Sequence, residues 1–285
     1  MAYRHVQTIV RAQAVSEGAG VTVHRTIGTP ALRNLDPFLM LDHFSSDNPD
    51  DYIAGFPDHP HRGFITLTYM LDGHMLHKDS MGNQGDLQSG GAQWMKAASG
   101  VIHSEMPKQT AGLMRGFQLW VNLPASQKMS APTYQELSPT DIPEYSGDGA
   151  RVKALSGQYR DILGPIDDPY TGVLYLDVAL EADSAFMHPF DSALQAFIYV
   201  FEGSVELEGT PLPQHTFAVL GNGDSLRLAA GDAGARFILV AGRPLDEPIE
   251  QYGPFVMNTR DEIQQAMADY RAGNLVRHRA VAGGH

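Results

Sequence analysis

Short hydrophobic runs broken by turn residues set the pattern of this chain. Ile65-Thr66-Leu67-Thr68-Tyr69-Met70-Leu71 is rich in β-branched and aromatic residues and stops at Asp72-Gly73, a hairpin signal. Met81-Gly82-Asn83-Gln84-Gly85 and Gln88-Ser89-Gly90-Gly91 mark further turns, and Gly116-Phe117-Gln118-Leu119-Trp120-Val121-Asn122-Leu123 reads as another buried strand. Closely spaced strands of this kind predict a sandwich or barrel. The composition shifts from about Ser126 to Pro169, where Ser138–Pro143 and Tyr145–Gly149 read as connecting loops. A second strand-rich block begins near Gly172-Val173-Leu174-Tyr175-Leu176-Asp177-Val178.

The second block faintly repeats the first. Tyr199-Val200-Phe201-Glu202-Gly203-Ser204-Val205 matches Tyr69-Met70-Leu71-Asp72-Gly73-His74-Met75, and ahead of it His188-Pro189-Phe190 stands where His59-Pro60-His61 stands in the first half. The prediction is an all-β chain of two β-barrel domains, residues 1–135 and 136–285, in which only the N-terminal copy can hold a metal. A short C-terminal helix closes the chain. Thr259-Arg260-Asp261-Glu262 is a capping box, Ile263, Met267 and Tyr270 follow at helical spacing, and Gly273 suits the stop. The tail after Asn274 is expected to be loosely held, and His285 is given no role.

His59-Pro60-His61 and His103-Ser104-Glu105 share i, i+2 spacing, which on a strand points both side chains to one face. Two such strands side by side gather three imidazoles and a carboxylate. A lone His-x-His pair is weak evidence, because buried histidines with ordinary hydrogen bonds are common. Together the two pairs make a nitrogen and oxygen donor set that leaves positions open on an octahedral divalent ion. Fe(II), Mn, Ni, Cu and Zn all suit this set, with no cysteine to pull it towards zinc. His74 and His77 flank turns and read as exposed and uninvolved, while His43 is a candidate for the mouth of the site. Trp94 and Trp120 read as core fillers, with Met95 pointing opposite Trp94.

Composition narrows the function. The 285 residues, 43% hydrophobic and 19% charged, can bury a sizeable core. With 33 acidic against 20 basic residues the formal charge is −13, a field that repels phosphate backbones and argues against direct nucleic-acid binding. The absence of cysteine excludes disulfides and fits a reducing cytoplasm. No apolar run suggests a leader or a membrane span, so a soluble cytoplasmic monomer is expected.

Phe56-Pro57-Asp58-His59-Pro60-His61-Arg62-Gly63-Phe64, Gln93-Trp94-Met95 and Ser99-Gly100-Val101-Ile102-His103-Ser104-Glu105-Met106-Pro107 resemble the metal motifs of the pirin family of the cupin superfamily. Asp36–Asp42, Pro248-Ile249 and Gly253–Asn258 fit as well, so the resemblance runs nearly the whole length in the right order. It implies a bicupin of two jelly-roll barrels with one iron in the first. His59, His61, His103 and Glu105 fall on the family's ligand positions, and Phe56, Arg62, Met95 and Gln118 fall where the family lines the cavity. Ile65 stands where the family usually has Glu, which removes any acid/base or supporting role from that position.

Bacterial members imply a quercetin 2,3-dioxygenase-like activity, in which O₂ adds across C2 and C4 of a flavonol and carbon monoxide leaves. Glu105 is then the candidate base for the 3-hydroxyl as well as a ligand, Arg62 could hold negative charge near the mouth, and a flat aromatic substrate suits Phe56 and Met95 as walls. The alternative is a non-enzymatic, iron-dependent redox regulator that acts through a protein partner, as eukaryotic members are described. A third reading is a structural bicupin with an adventitious metal.

Overall fold

The computed structural model describes residues 2–278. The chain forms two compact units, each assembled from non-contiguous segments. One comprises Ala14–Gly28, Phe38–Pro139 and the chain from Leu245 onward; the other comprises the chain up to Gln13, Thr29–Pro37 and Thr140–Pro244. Among the described residues, the segment up to Gln13 and the segment from Leu245 are thus each built into the unit that holds the distant half of the sequence. Turn and strand signals are local and carry no trace of this pairing.

The unit that carries the histidine motifs has a seven-stranded and a four-stranded sheet. The larger runs in the order Thr133–Leu137, Ala92–Lys96, Phe64–Asp72, Met114–Asn122, Phe38–Ser46, Val21–Arg25, Gln13–Glu17. The smaller runs Phe56–His61, Val101–Pro107, His74–Asp79, Gln84–Gln88, with every pairing antiparallel. The predicted strand around Ile65–Leu71 is the Phe64–Asp72 strand, buried along almost its whole length. Val21, Val23, Phe44, Met70 and Met114 of the larger sheet pack with Met75 and Leu87 of the smaller one. This apolar cluster fills part of the space between the sheets, and the histidine motifs face the remainder.

The other unit is built on a nine-stranded antiparallel sheet. Its longest strands, Gln195–Leu207 and Ser225–Gly242, carry register shifts at Val200/Glu202 and Gly203/Val205. Such bulges bend a strand and increase its twist. Its core holds Val152, Leu176, Val178, Ile198, Phe237 and Leu239. The stretch Tyr145–Gly149, expected as a loop, belongs to a hairpin in which Glu144–Gly147 pairs with Ala150–Ser156. Asp148 and Gly149 at its tip have φ of 55° and 70°, as a primed two-residue turn requires.

The C-terminal helix spans Arg260–Arg271, and both halves of the Thr259/Glu262 capping box form. Its buried residues are Ile263, Ala266 and Asp269, whereas Met267 is half-buried and Tyr270 exposed. The buried face is displaced from the predicted apolar stripe because Asp269 turns inward to Arg62. The tail is not loose at its start: Leu275 is buried and packs with Phe255, Met257, Ile263 and Ala266. His285 lies outside the described residues. No helix among the described residues is long and apolar enough to cross a membrane.

Candidate metal centre

The two histidine motifs occupy neighbouring strands of the four-stranded sheet. His103 lies opposite His59, Val101 opposite His61, and Glu105 opposite Phe56 after a bulge. The two-residue period therefore brings His59, His61, His103 and Glu105 to one face. The ligand atoms of His59, His61 and His103 lie within 4.8 Å of one another, and so do those of His77, His103 and Glu105. The two groups share His103.

The donor set fits a divalent metal. His59 Nδ1 sits 2.8 Å from the Pro57 carbonyl oxygen, so it donates there and leaves Nε2 with its lone pair. That Nε2 lies 3.1 Å from His61 Nε2. His103 Nε2 is buried with no hydrogen-bond partner. Burial first, and then neighbouring imidazoles, push His61 and His103 well below the usual histidine range, so both stay neutral, the form that ligates. Buried lone pairs without donors are costly unless a cation takes them up.

The facing sheet supplies the rest of the wall. Thr68 pairs with Gln118 and Gln93, and Thr66 with Trp120 and Met95, so these side chains share a face. Thr68 Oγ1 lies 3.1 Å from Glu105 Oε1 and 2.8 Å from Gln118 Oε1, which ties that face to the carboxylate. Phe64 and Trp120 stand edge-on to the His61 ring at 5.0 and 5.2 Å. Trp120, expected as a core filler, is thus a wall of the cluster, whereas Trp94 is buried on the opposite face. Met95 is wholly buried, packed with Ala97 and Val101. Phe56 packs beside the Val21/Phe44 cluster, and Ile65 is a buried core residue.

Three expectations are corrected. Arg62 does not present its guanidinium to the cluster. It follows His61 directly, so alternation sends it to the other face. There Nε donates to the Ser99 carbonyl, Nη1 to Asp269 and Nη2 to the Leu275 carbonyl, at 2.7, 2.7 and 3.4 Å. His43 is buried and stacked on Phe117 at 4.8 Å, on the face opposite Gln118. His77 is neither exposed nor uninvolved: it is 1% exposed and its Nδ1 lies 3.4 Å from His103 Nδ1. A usable signal existed, since His77-Lys78-Asp79 repeats the i, i+2 spacing of His103-Ser104-Glu105. His74 is half-buried and paired with Asp86 at 2.6 Å.

The turn that leaves the first motif is clamped by the chain's last segment. Gly63 has φ of +92°, and a Cβ there would stand 1.9 Å from the Val256 carbonyl oxygen. Lys128, unremarked in the sequence, is buried beneath it. Its Nζ donates to the carbonyls of Gly63 and Val256 and to Asn122 Oδ1, while burial draws its ammonium down to about 7.

Residues 20–121 match the family described as Pirin, and residues 175–276 match the Pirin C-terminal cupin domain. A Pseudomonas aeruginosa protein named "Putative quercetin 2,3-dioxygenase" is 47% identical over 281 residues, covering 96% of this chain and 98% of its own length. Human pirin is 43% identical over 275 residues, covering 94% of this chain and 92% of its own. The crystal structure of a quercetin 2,3-dioxygenase from Acinetobacter baumannii matches with a TM-score of 0.89 at 31% identity, covering 97% of this chain and 100% of that one.

Proposed function

This chain belongs to the pirin family, and from that premise we propose that it is a metal-dependent dioxygenase resembling quercetin 2,3-dioxygenase, acting on a flavonol-type aromatic substrate with O₂ in the cytoplasm. The observation that carries this reading is the convergence of His59, His61 and His103, with Glu105 in an overlapping group, on the inner face of one sheet. These four residues would hold one divalent metal, Fe(II) by first choice. Such a metal, when bound, supplies a Lewis-acidic and redox-capable centre with open positions.

The protein's own groups divide the remaining work. Glu105 is the acceptor for a substrate hydroxyl proton, and Thr68 holds its Oε1 in place. Gln118, sharing the Thr68 hydroxyl, is the next polar group in that network. Trp120 and Phe64 fix the His61 ring and keep water from its flank. Arg62 is turned to the face away from the cluster, where Nε, Nη1 and Nη2 donate to Ser99, Asp269 and Leu275.

The test is anaerobic loading with Fe(II), then addition of quercetin and O₂, followed by loss of the flavonol absorbance. Turnover that Glu105→Ala abolishes supports the enzyme. Full metal occupancy without turnover sinks it, and partner capture that depends on iron oxidation state would then favour the regulator.

A further inference from the structure

His103 stands at the centre of the cluster, with ring centroids of His59, His61 and His77 at 4.3, 4.8 and 5.2 Å. On its far side a second polar chain begins. His77 Nε2 lies 3.3 Å from Asp79 Oδ2, and both side chains are essentially inaccessible. Asp79 is itself pinned: Oδ1 accepts the backbone N–H groups of Met81 and Asn83 at 2.9 and 3.0 Å, and Oδ2 accepts Asn83 Nδ2 at 2.8 Å. The His77 ring lies flat against Tyr134, with centroids 4.7 Å apart and planes at 20°. The Tyr134 hydroxyl accepts from Gln93 Nε2 and donates to Glu136, each at 2.8 Å.

The donor and acceptor inventory points to one arrangement. An ionised carboxylate only accepts, so the proton between Asp79 and His77 belongs to His77 Nε2. In the tautomer with its single proton on Nε2, His77 offers a bare Nδ1 to His103. The Nδ1 of His103, 3.4 Å away, must carry the proton that fills this gap. That leaves His103 Nε2, the buried atom without a partner, with its lone pair free.

We propose that Asp79 and His77 are positioning residues that form a hydrogen-bonded relay, fixing His103 as its Nδ1–H tautomer so that Nε2 faces the metal. This rests on the metal reading above. Groups that orient ligating histidines change metal affinity by roughly 10- to 100-fold when removed. Asp79→Asn is nearly isosteric but can donate to His77 Nε2. It would invert both imidazoles and put a proton on the His103 nitrogen that should ligate.

Cobalt(II) titration of the full chain, with proton NMR of the cobalt-loaded protein in H₂O and D₂O, tests the relay. The wild type should bind one equivalent and show a hyperfine-shifted, slowly exchanging N–H from His103. His77→Phe should keep the ring stack, speed that exchange, and weaken binding by roughly tenfold or more. Asp79→Asn should weaken binding at least as much, yet add nothing in the His77→Phe background, as expected for members of one chain. His188→Leu, in the other unit, should leave cobalt affinity within about twofold of the wild type. Additive losses, an unchanged N–H signal in folded His77→Phe, or a fourth cobalt-bound imidazole would overturn the relay alone. A wild type that binds no cobalt would overturn the metal reading as well.

Discussion

His59-Pro60-His61 in one unit and His188-Pro189-Phe190 in the other occupy matching places in a repeated sequence, yet the surroundings of their buried histidines, His61 and His188, differ in kind. His61 has imidazoles beside it: His59 Nε2 at 3.1 Å and the His103 ring at 4.8 Å. His188 has carbon rings: Tyr159 and Phe186 lie roughly parallel to it at 5.8 and 6.3 Å, and Phe190 meets it edge-on at 5.1 Å. Both histidines are held neutral by burial, His61 well below its usual range and His188 down to about 4. The repeat preserves the scaffold more faithfully than the chemistry. Gly73 and Gly203, aligned in the repeat, both take positive φ at 109° and 65°. A positive-φ glycine thus persists where the donor set does not. Replacing donors by aromatic rings turns a binding cavity into packed core.

The comparison breaks first at the ligands. His103→Ala should lower metal affinity by at least about 100-fold, beyond the range seen for supporting residues, whereas His188→Leu should leave it unchanged. Calorimetric titration of both variants checks this, and equal losses would erase the distinction between the units. Next in size is the clamp on the first motif. Gly63→Ala meets both a left-handed backbone and the Val256 carbonyl, and should cost about 3 kcal/mol or more in thermal or denaturant unfolding.

His188 gives a pH-dependent contrast. Its folded pKa of about 4 lies below the usual 6.5, so between those values the unfolded chain binds more protons. Its neutral burial costs nothing above about pH 6.5, and stability falls as pH drops from there towards about 4, by up to about 3 kcal/mol. His188→Leu should flatten that decline in denaturant titrations taken across this range. An unchanged slope would mean that His188 is solvated rather than packed. The smallest effect is expected at Thr68→Val, which removes one hydrogen bond to Glu105 and should change metal affinity by no more than about tenfold. A larger loss would promote Thr68 from support to binding group.

These contrasts also mark what the sequence could convey. The i, i+2 pairs were legible because a strand's period is local, and His59, His61, His103 and Glu105 do share a face. The capping box of the last helix was legible for the same reason. What escaped depends on pairing between distant segments. Nothing near Arg62 announces Asp269 or Leu275, so its neighbours in sequence make a buried ion pair read as a pocket cation. His77 looked like a turn residue until strand pairing set it opposite Glu105. The exchange of termini between units is likewise invisible to any window of neighbouring residues.

The central claim is that the histidine-bearing unit alone takes up metal, through His59, His61, His103 and Glu105. Elemental analysis of the Fe(II)-reconstituted full chain beside its His103→Ala variant tests it most directly. The account predicts about one equivalent of iron in the wild type and close to none in the variant, as loss of a ligand at a single site requires. Two equivalents, none, or an equivalent retained by the variant would contradict it.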